Sequence, residues 1–474
     1  MKGKVLVPLA LMAPLCSSAQ DQTGHKNILL IIADDLRPAL GCYGYPQVQT
    51  PNIDRLASKG TVFTNAFCNA PVSGASRASL LTGLNPSMPE RFSSFDAWAS
   101  KDAPDAVSLP GWLKANGYAT YSYGKVFHNI KDHDEDWSEY PWRLNPDGYG
   151  KDWAEYNKWE LWLNDESGNH INPKTGRGPF CELSSRPDED YDDGQVALHA
   201  ADKLRELGTQ EKPFFLAVGF WKPHLPFNAP EKYWNLYDRD EIMIADNRYR
   251  PKGLPKQCSG SGEIKGYGLV GNTSSPEFHA LARHAYYACV SFVDAQVGKV
   301  LNALEESGLA DDTVVIFIGD HGWHLGEHNF WGKHNLLHNA VNAPLIISDP
   351  SAGKRSPAET RAVAQFVDIY PTICGYAGVE FPEGLDGQSL EPVVSGHCKA
   401  VNRYAFIHWG NGISVVDGRY NYASWTDKEG NVTGQMLFDH KKDPEENENV
   451  IASPGYSKVA KRLSRVLEEF RKRR

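Results

Sequence analysis

The sequence predicts an α/β protein: a mainly parallel central sheet flanked by helices, followed by a smaller antiparallel sheet at the C-terminal end. Three observations lead there. Short apolar runs recur up to Ser348, each bounded by glycine, proline or charge. Helical patterns separate these runs. From Asn402 onward the pattern changes to closely spaced short strands with turn signals.

The first run, Asn27–Ala33 (NILLIIA), leads straight into Asp34-Asp35. Residues 119–123 and Phe214–Phe220 (FFLAVGF) follow as candidate strands. Thr313–Gly319 (TVVIFIG) leads into Asp320-His321-Gly322, and residues 344–348 (PLIIS) close the set. Ligands of open parallel sheets bind beyond the carboxyl ends of the strands, so two acidic pairs there form a candidate shared site. Between 129 and 195 the chain is polar and rich in tryptophan (Trp137, Trp142, Trp153, Trp159, Trp162). That stretch reads as an irregular insertion at a pocket's edge rather than as core. Late strands are expected at 404–409, 413–417, 420–425 and 435–438. A terminal helix follows with Val459, Leu463, Val466, Leu467 and Phe470 on one face. These patterns divide the chain into a main domain over 20–400 and a subdomain over 401–474.

The chain of 474 residues is long enough for a large core. Its net charge of −10, without a long basic run, argues against nucleic acid as the partner. A basic pocket within an acidic shell still suits an anionic substrate. Thirteen Trp and 21 Tyr supply packing surface and faces that suit sugar rings. Residues 1–19 read as an export signal: Lys2 and Lys4 precede the apolar run 5–15, and Ser17-Ser18-Ala19 offers small residues for cleavage. The run is too short to span a bilayer stably. The expectation is therefore a soluble exported protein, in the periplasm. Cys16 offers a lipoprotein alternative, without the small residue that usually precedes a lipidated cysteine. Cleavage after Ala19 would leave seven of the eight cysteines, and no zinc-like CxxC pair exists.

Three carboxylates converging from Asp34, Asp35 and Asp320 would repel one another without a cation, and oxygen ligands suit Ca²⁺ or Mg²⁺. Coordination by His321 would make the site depart from a pure oxygen cage. Ser73-Gly74-Ala75-Ser76-Arg77 is followed by Ala78-Ser79-Leu80-Leu81-Thr82-Gly83, which could begin a helix, and a helix N-terminus with Arg77 beside it favours an anion.

These residues carry a family resemblance. The chain resembles the type I sulfatases of the alkaline phosphatase superfamily over nearly its whole length after the signal. Residues 73–83 match the first signature, Cys or Ser-x-Pro or Ala-x-Arg followed by Leu-Thr-Gly. Thr50-Pro51-Asn52-Ile53-Asp54-Arg55-Leu56 precedes it, and Gly117-Tyr118-Ala119-Thr120 with Gly124-Lys125 matches the second. Leu385-Asp386-Gly387-Gln388-Ser389-Leu390 and Leu437-Phe438-Asp439 match late in the chain. Gly124-Lys125-Val126-Phe127-His128, Lys222-Pro223-His224-Leu225-Pro226-Phe227, and Asp320-His321-Gly322-Trp323 with Trp331 and Lys333 resemble the iduronate-2-sulfatase-like subgroup.

The resemblance implies an alkaline-phosphatase-like fold and hydrolysis of a sulfate ester on a glycan, first of all the 2-O-sulfate of a hexuronic acid from glycosaminoglycan. It implies that Ser73 is oxidised to formylglycine. One hydroxyl of the hydrated aldehyde then attacks sulfur, and loss of the second hydroxyl's proton re-forms the aldehyde and expels sulfate. By the same resemblance Asp34, Asp35, Asp320 and His321, with residue 73, hold one divalent cation, Ca²⁺ or alternatively Mg²⁺. Arg77 and Lys125 steady the diol, Lys333 binds sulfate oxygens, His128 is the base, and His224 protonates the leaving sugar oxygen. Serine at position 73, with Ala75 in place of proline, resembles the substrates of anaerobic radical-type sulfatase-maturing enzymes of bacteria, which implies such a partner. Three other readings stay open: a sulfatase for another sulfated sugar, a phosphatase or phosphodiesterase in which Ser73 attacks directly, and a catalytically silent glycan-binding protein.

Overall fold

The structure is a computed structural model that describes residues 25–87, 91–143, 162, 170–353, 356 and 358–473. The expected export signal over 1–19, Cys16, Trp153 and Trp159 lie outside the described residues. Fifteen strands are described: β1 Asn27–Ala33, β2 Thr61–Phe67, β3 Ala119–Gly124, β4 Cys181–Ser184, β5 Phe214–Phe220, β6 Phe227–Pro230, β7 Thr313–Gly319, β8 His324–Leu325, β9 Trp331–Gly332, β10 Leu345–Ser348, β11 Glu359–Gln365, β12 Ala405–Trp409, β13 Gly412–Val416, β14 Tyr420–Thr426 and β15 Val432–Asp439.

Seven of them form the central sheet in the order β11-β2-β10-β7-β1-β5-β3. β10 runs antiparallel to β7 and β2, and the other pairings are parallel, so the sheet is mainly parallel as expected. β2 and β11 were not announced by an apolar run. β2 carries Thr61, Thr64 and Asn65, and β11 is an edge strand whose first residues are exposed.

Alternate residues of the central strands feed two apolar layers, as the two-residue period of a strand requires. Ile28, Leu30 and Ile32 with Val314, Ile316 and Ile318 pack on the side of helices Ser73–Thr82, Leu109–Ala115 and Ile369–Tyr376. Leu29 and Ile31 with Val315 and Phe317 face helices Pro51–Ser58, Asp192–Leu207 and Pro276–Glu306. The last is 31 residues long, with Ser275 capping its start by accepting from the Phe278 N–H and Pro276 in its first turn. Among the described residues no helix is long and apolar enough to cross a membrane.

The C-terminal strands form a four-stranded antiparallel sheet, β12-β13-β14-β15. Ala405, Ile407, Val416, Ala423, Met436 and Phe438 face the main core. Phe406, Val415, Tyr422 and Leu437 face the terminal helix Ser457–Arg471 through Leu463, Val466, Leu467 and Phe470. Phe406 and Phe470 stack with ring centroids 3.9 Å apart. Trp137, expected at a pocket's edge, instead stacks on Phe215 in the core, with centroids 5.9 Å apart and ring planes within 13°. A flat apolar ring gains more against a sheet than in water.

Candidate active site

Strand order explains how distant motifs meet. β7, β1, β5 and β3 are neighbours running the same way, with Gly319 beside Ala33, Ala33 beside Phe220, and Gly219 beside Gly124. The residues that follow each strand therefore emerge along one edge: Asp320-His321, Asp34-Asp35, Trp221 to His224, and Lys125 to His128. The helix Ser73–Thr82 brings Ser73 as its first residue, and the whole helix is buried. Lys333 follows the small β8–β9 hairpin.

Ser73 Oγ donates to Asp34 Oδ1 at 2.8 Å and lies 3.1 Å from His321 Nε2. His321 Nδ1 sits 3.0 Å from the Gly322 carbonyl, which only accepts, so the ring proton lies on Nδ1 and Nε2 offers its lone pair. Burial brings the His321 pKa down to about 3, with Lys333 acting the same way, so this ring is neutral. Asp35 adopts φ 61°, held by its N–H donating to Asp320 Oδ1 at 3.0 Å and its carbonyl accepting from the Tyr286 hydroxyl at 2.8 Å.

Three cations enter among these carboxylates. Lys125 pairs with Asp34, and Arg77 Nε donates to Asp320 Oδ2 at 2.8 Å while its Nη1 binds the carbonyls of Lys125 and Val126. Lys333 Nζ contacts both oxygens of Asp35, at 2.9 and 2.8 Å. Burial works to raise the Asp34 pKa, but Lys125, His224 and Arg77 outweigh it and hold that carboxyl well below the usual range. Burial pushes Asp35 up, and the Asp34, Glu263 and Asp320 carboxylates push with it against Lys333. Asp320 is pushed up to about 6 by burial and by Asp34.

His224 Nδ1 lies 2.6 Å from the Leu225 carbonyl, which aims Nε2 at Glu263 Oε1, 3.3 Å away, and at Asp35 Oδ2, 3.7 Å away. His128 is buried, and burial together with Lys125 holds its pKa well below the ordinary value. The structure thus brings Asp34, Asp35, Ser73, Arg77, Asp320, His321, Lys125, His224 and Lys333 into one pocket, with His128 on the loop just after Lys125. His324, which lies nearby in sequence, is instead 3.2 Å from Asn335 Oδ1.

Ligand atoms of Asp34, Asp35, Asp320 and His321 all lie within 4.8 Å of one another. With Glu263 included, four carboxylates face three cationic side chains, Arg77, Lys125 and Lys333. With all of these groups ionised the pocket carries one negative charge in excess. A divalent cation reverses that sign, and this donor set of carboxylate oxygens and one imidazole nitrogen fits such an ion.

Two residues of the site were missed in the sequence. Glu263 lies in a Ser/Gly-rich stretch with no periodic signal, yet it approaches both His224 and Lys333. Arg143, from the insertion, is buried and donates to the carbonyls of Gly124, Phe127 and His128, clamping the loop that carries Lys125 and His128. The same loop passes tightly over β5: a Cβ on Gly219 would overlap the Lys125 carbonyl. Gly219→Ala is expected to cost about 1–3 kcal/mol through overpacking. It should also cut turnover by about tenfold or more by displacing Lys125. Thermal unfolding and initial rates on one preparation check both, and unchanged rates would show that the loop tolerates displacement.

Comparison with known proteins decides the family. The family model described as sulfatase matches residues 26–379, and human iduronate 2-sulfatase is 34% identical over 423 residues, 80% of this chain and 74% of that protein. The chain belongs to the sulfatase family. It is a sulfuric ester hydrolase. A second family model, N-sulphoglucosamine sulphohydrolase C-terminal, matches residues 326–473 of this sulfatase. Two solved structures share its fold. The phosphonate monoester hydrolase of Agrobacterium radiobacter has TM-score 0.74 at 24% identity, covering 95% of this chain and 96% of its own. A 2-O GAG sulfatase has TM-score 0.71 at 22% identity, covering 95% and 92%.

Proposed function

We propose that this sulfatase removes the 2-O-sulfate of a hexuronic acid, iduronate or unsaturated uronate, from glycosaminoglycan fragments. The observation that carries the reading is the 34% identity to human iduronate 2-sulfatase across four-fifths of the chain. Ser73, converted to formylglycine by an anaerobic radical-type maturing enzyme, would supply one hydroxyl to attack sulfur and a second whose deprotonation releases sulfate. Asp34, Asp35, Asp320 and His321 would hold one divalent cation, Ca²⁺ in preference to Mg²⁺, which would draw charge from a sulfate oxygen and from the residue-73 oxygen.

The chain's own groups do the rest. Arg77 and Lys125 orient residue 73 against Asp34 and Asp320. Lys333 binds the sulfate oxygens, where negative charge grows as the sugar leaves. His224 would protonate the sugar oxygen from Nε2 once the ring is doubly protonated, because its Nδ1–H is already held by the Leu225 carbonyl. His128 takes the proton of the second hydroxyl; burial and Lys125 keep its ring neutral and able to accept. Export to the periplasm would place the enzyme where such fragments arrive.

Protein whose residue-73 peptide is short of two hydrogens should release sulfate from a 2-O-sulfated unsaturated disaccharide. The rate should exceed that on a 6-O-sulfated glucosamine isomer by about tenfold or more, because a site built for one regiochemistry leaves polar groups unpaired on the other. The likeness to a phosphonate monoester hydrolase supplies the control, an aryl phosphonate. Faster phosphonate cleavage, or no sulfate release by aldehyde-bearing protein, would overturn the reading.

A further inference from the structure

Glu263 differs from the other carboxylates of the pocket in origin and in exposure. It opens the 3-10 turn Glu263–Gly266, on the connection between β6 and the helix Pro276–Glu306. Its Oε1 lies 3.3 Å from His224 Nε2 and its Oε2 lies 3.0 Å from Lys333 Nζ. Its side chain keeps 15% of its surface in solvent, while those of Asp34 and Asp35 keep none. Glu263 is thus the most exposed of the four carboxylates, and it touches both groups assigned to the sulfate and the leaving oxygen. Lys333 shares one positive charge between Asp35 and Glu263. An anion entering along Lys333 meets the Glu263 carboxylate at close range, where repulsion is only weakly screened.

We propose that Glu263 determines specificity by charge, admitting a sulfate monoester, which carries one negative charge, and rejecting a phosphate monoester in its dianionic form. The inference rests on the sulfate-ester chemistry proposed for this pocket. Sulfate and phosphate esters share a tetrahedral centre and similar size, so shape separates them weakly, and a repulsive element is the direct means of telling them apart. The same carboxylate opposes retention of inorganic sulfate, the dianionic product.

Phenyl phosphate tests the proposal, because it passes from monoanion to dianion at about pH 6, as phosphate monoesters do. Its binding by calorimetry is compared at pH 5 and pH 8 for wild type, Glu263→Gln, Glu263→Ala and Glu263→Asp. The two neutral variants should bind the dianion at pH 8 about tenfold or more tighter than wild type, with a much smaller difference at pH 5. Glu263→Asp, which keeps the charge, should behave as wild type. Inhibition by inorganic sulfate should strengthen in parallel in the neutral variants. Equal affinity of wild type and both neutral variants for the dianion would overturn the assignment. Sulfate release by the wild type is scored separately, so loss of the charge effect in an active sulfatase sinks this inference alone.

Discussion

Ser73→Ala is expected to lower sulfate release by about four orders of magnitude or more while leaving the protein folded. The substitution removes a single oxygen, which stands 2.8 Å from Asp34 Oδ1 and 3.1 Å from His321 Nε2 at the start of a buried helix. In the proposed mechanism that oxygen is the nucleophile, whether it acts as part of an aldehyde hydrate or as a plain hydroxyl. No neighbouring group replaces it, because Asp34 is committed to Lys125 and Asp320 to Arg77. The folding cost is small by comparison, about 1 kcal/mol for one hydrogen bond. Released sulfate and thermal unfolding, measured on the same preparation, separate the two effects. More than a hundredth of wild-type turnover in this variant would remove Ser73 from the chemistry.

Arg77→Ala should show the opposite balance, a large loss of stability together with loss of activity. The guanidinium is fully buried and serves four groups: Asp320 at 2.8 Å, the Val126 carbonyl at 3.1 Å, the Lys125 carbonyl, and Asp34 at 3.6 Å. Its removal strands two carbonyls and leaves Asp34 and Asp320 with one fewer cation. Breaking a buried ion pair from one side costs about 3–5 kcal/mol. Arg77→Lys restores the charge, but one ammonium cannot span a carboxylate and two carbonyls, so an intermediate loss is expected. Denaturant unfolding followed by tryptophan fluorescence reads the order wild type, lysine, alanine. A loss below about 1 kcal/mol for alanine would mean that water or the carboxyls' own protonation replaces the arginine.

Much of this was legible in the sequence. Asn27–Ala33 and Thr313–Gly319 are continuous apolar runs that end in Asp34-Asp35 and Asp320-His321, and strands buried on both faces require such runs. The terminal helix declared its buried face through Leu463, Val466, Leu467 and Phe470. β2 and β11 did not declare themselves, since Thr61, Asn65, Glu359 and Arg361 break the apolar pattern in strands near the sheet's edge. Trp137 was misplaced because the composition of its segment is polar, and composition cannot say which single ring turns inward.

The sequence by itself determined five of the seven strands of the central sheet, the residue types at their ends and the Ser73 motif, because these depend on local period and on short-range chemistry. Only the tertiary structure decided that β7, β1, β5 and β3 lie side by side, that β10 runs backwards, and that Glu263 and Arg143 reach the pocket. Strand pairing is settled by hydrogen-bond ladders between segments hundreds of residues apart. The path of a loop is settled by what its side chains find when it gets there. Neither leaves a periodic trace in the chain.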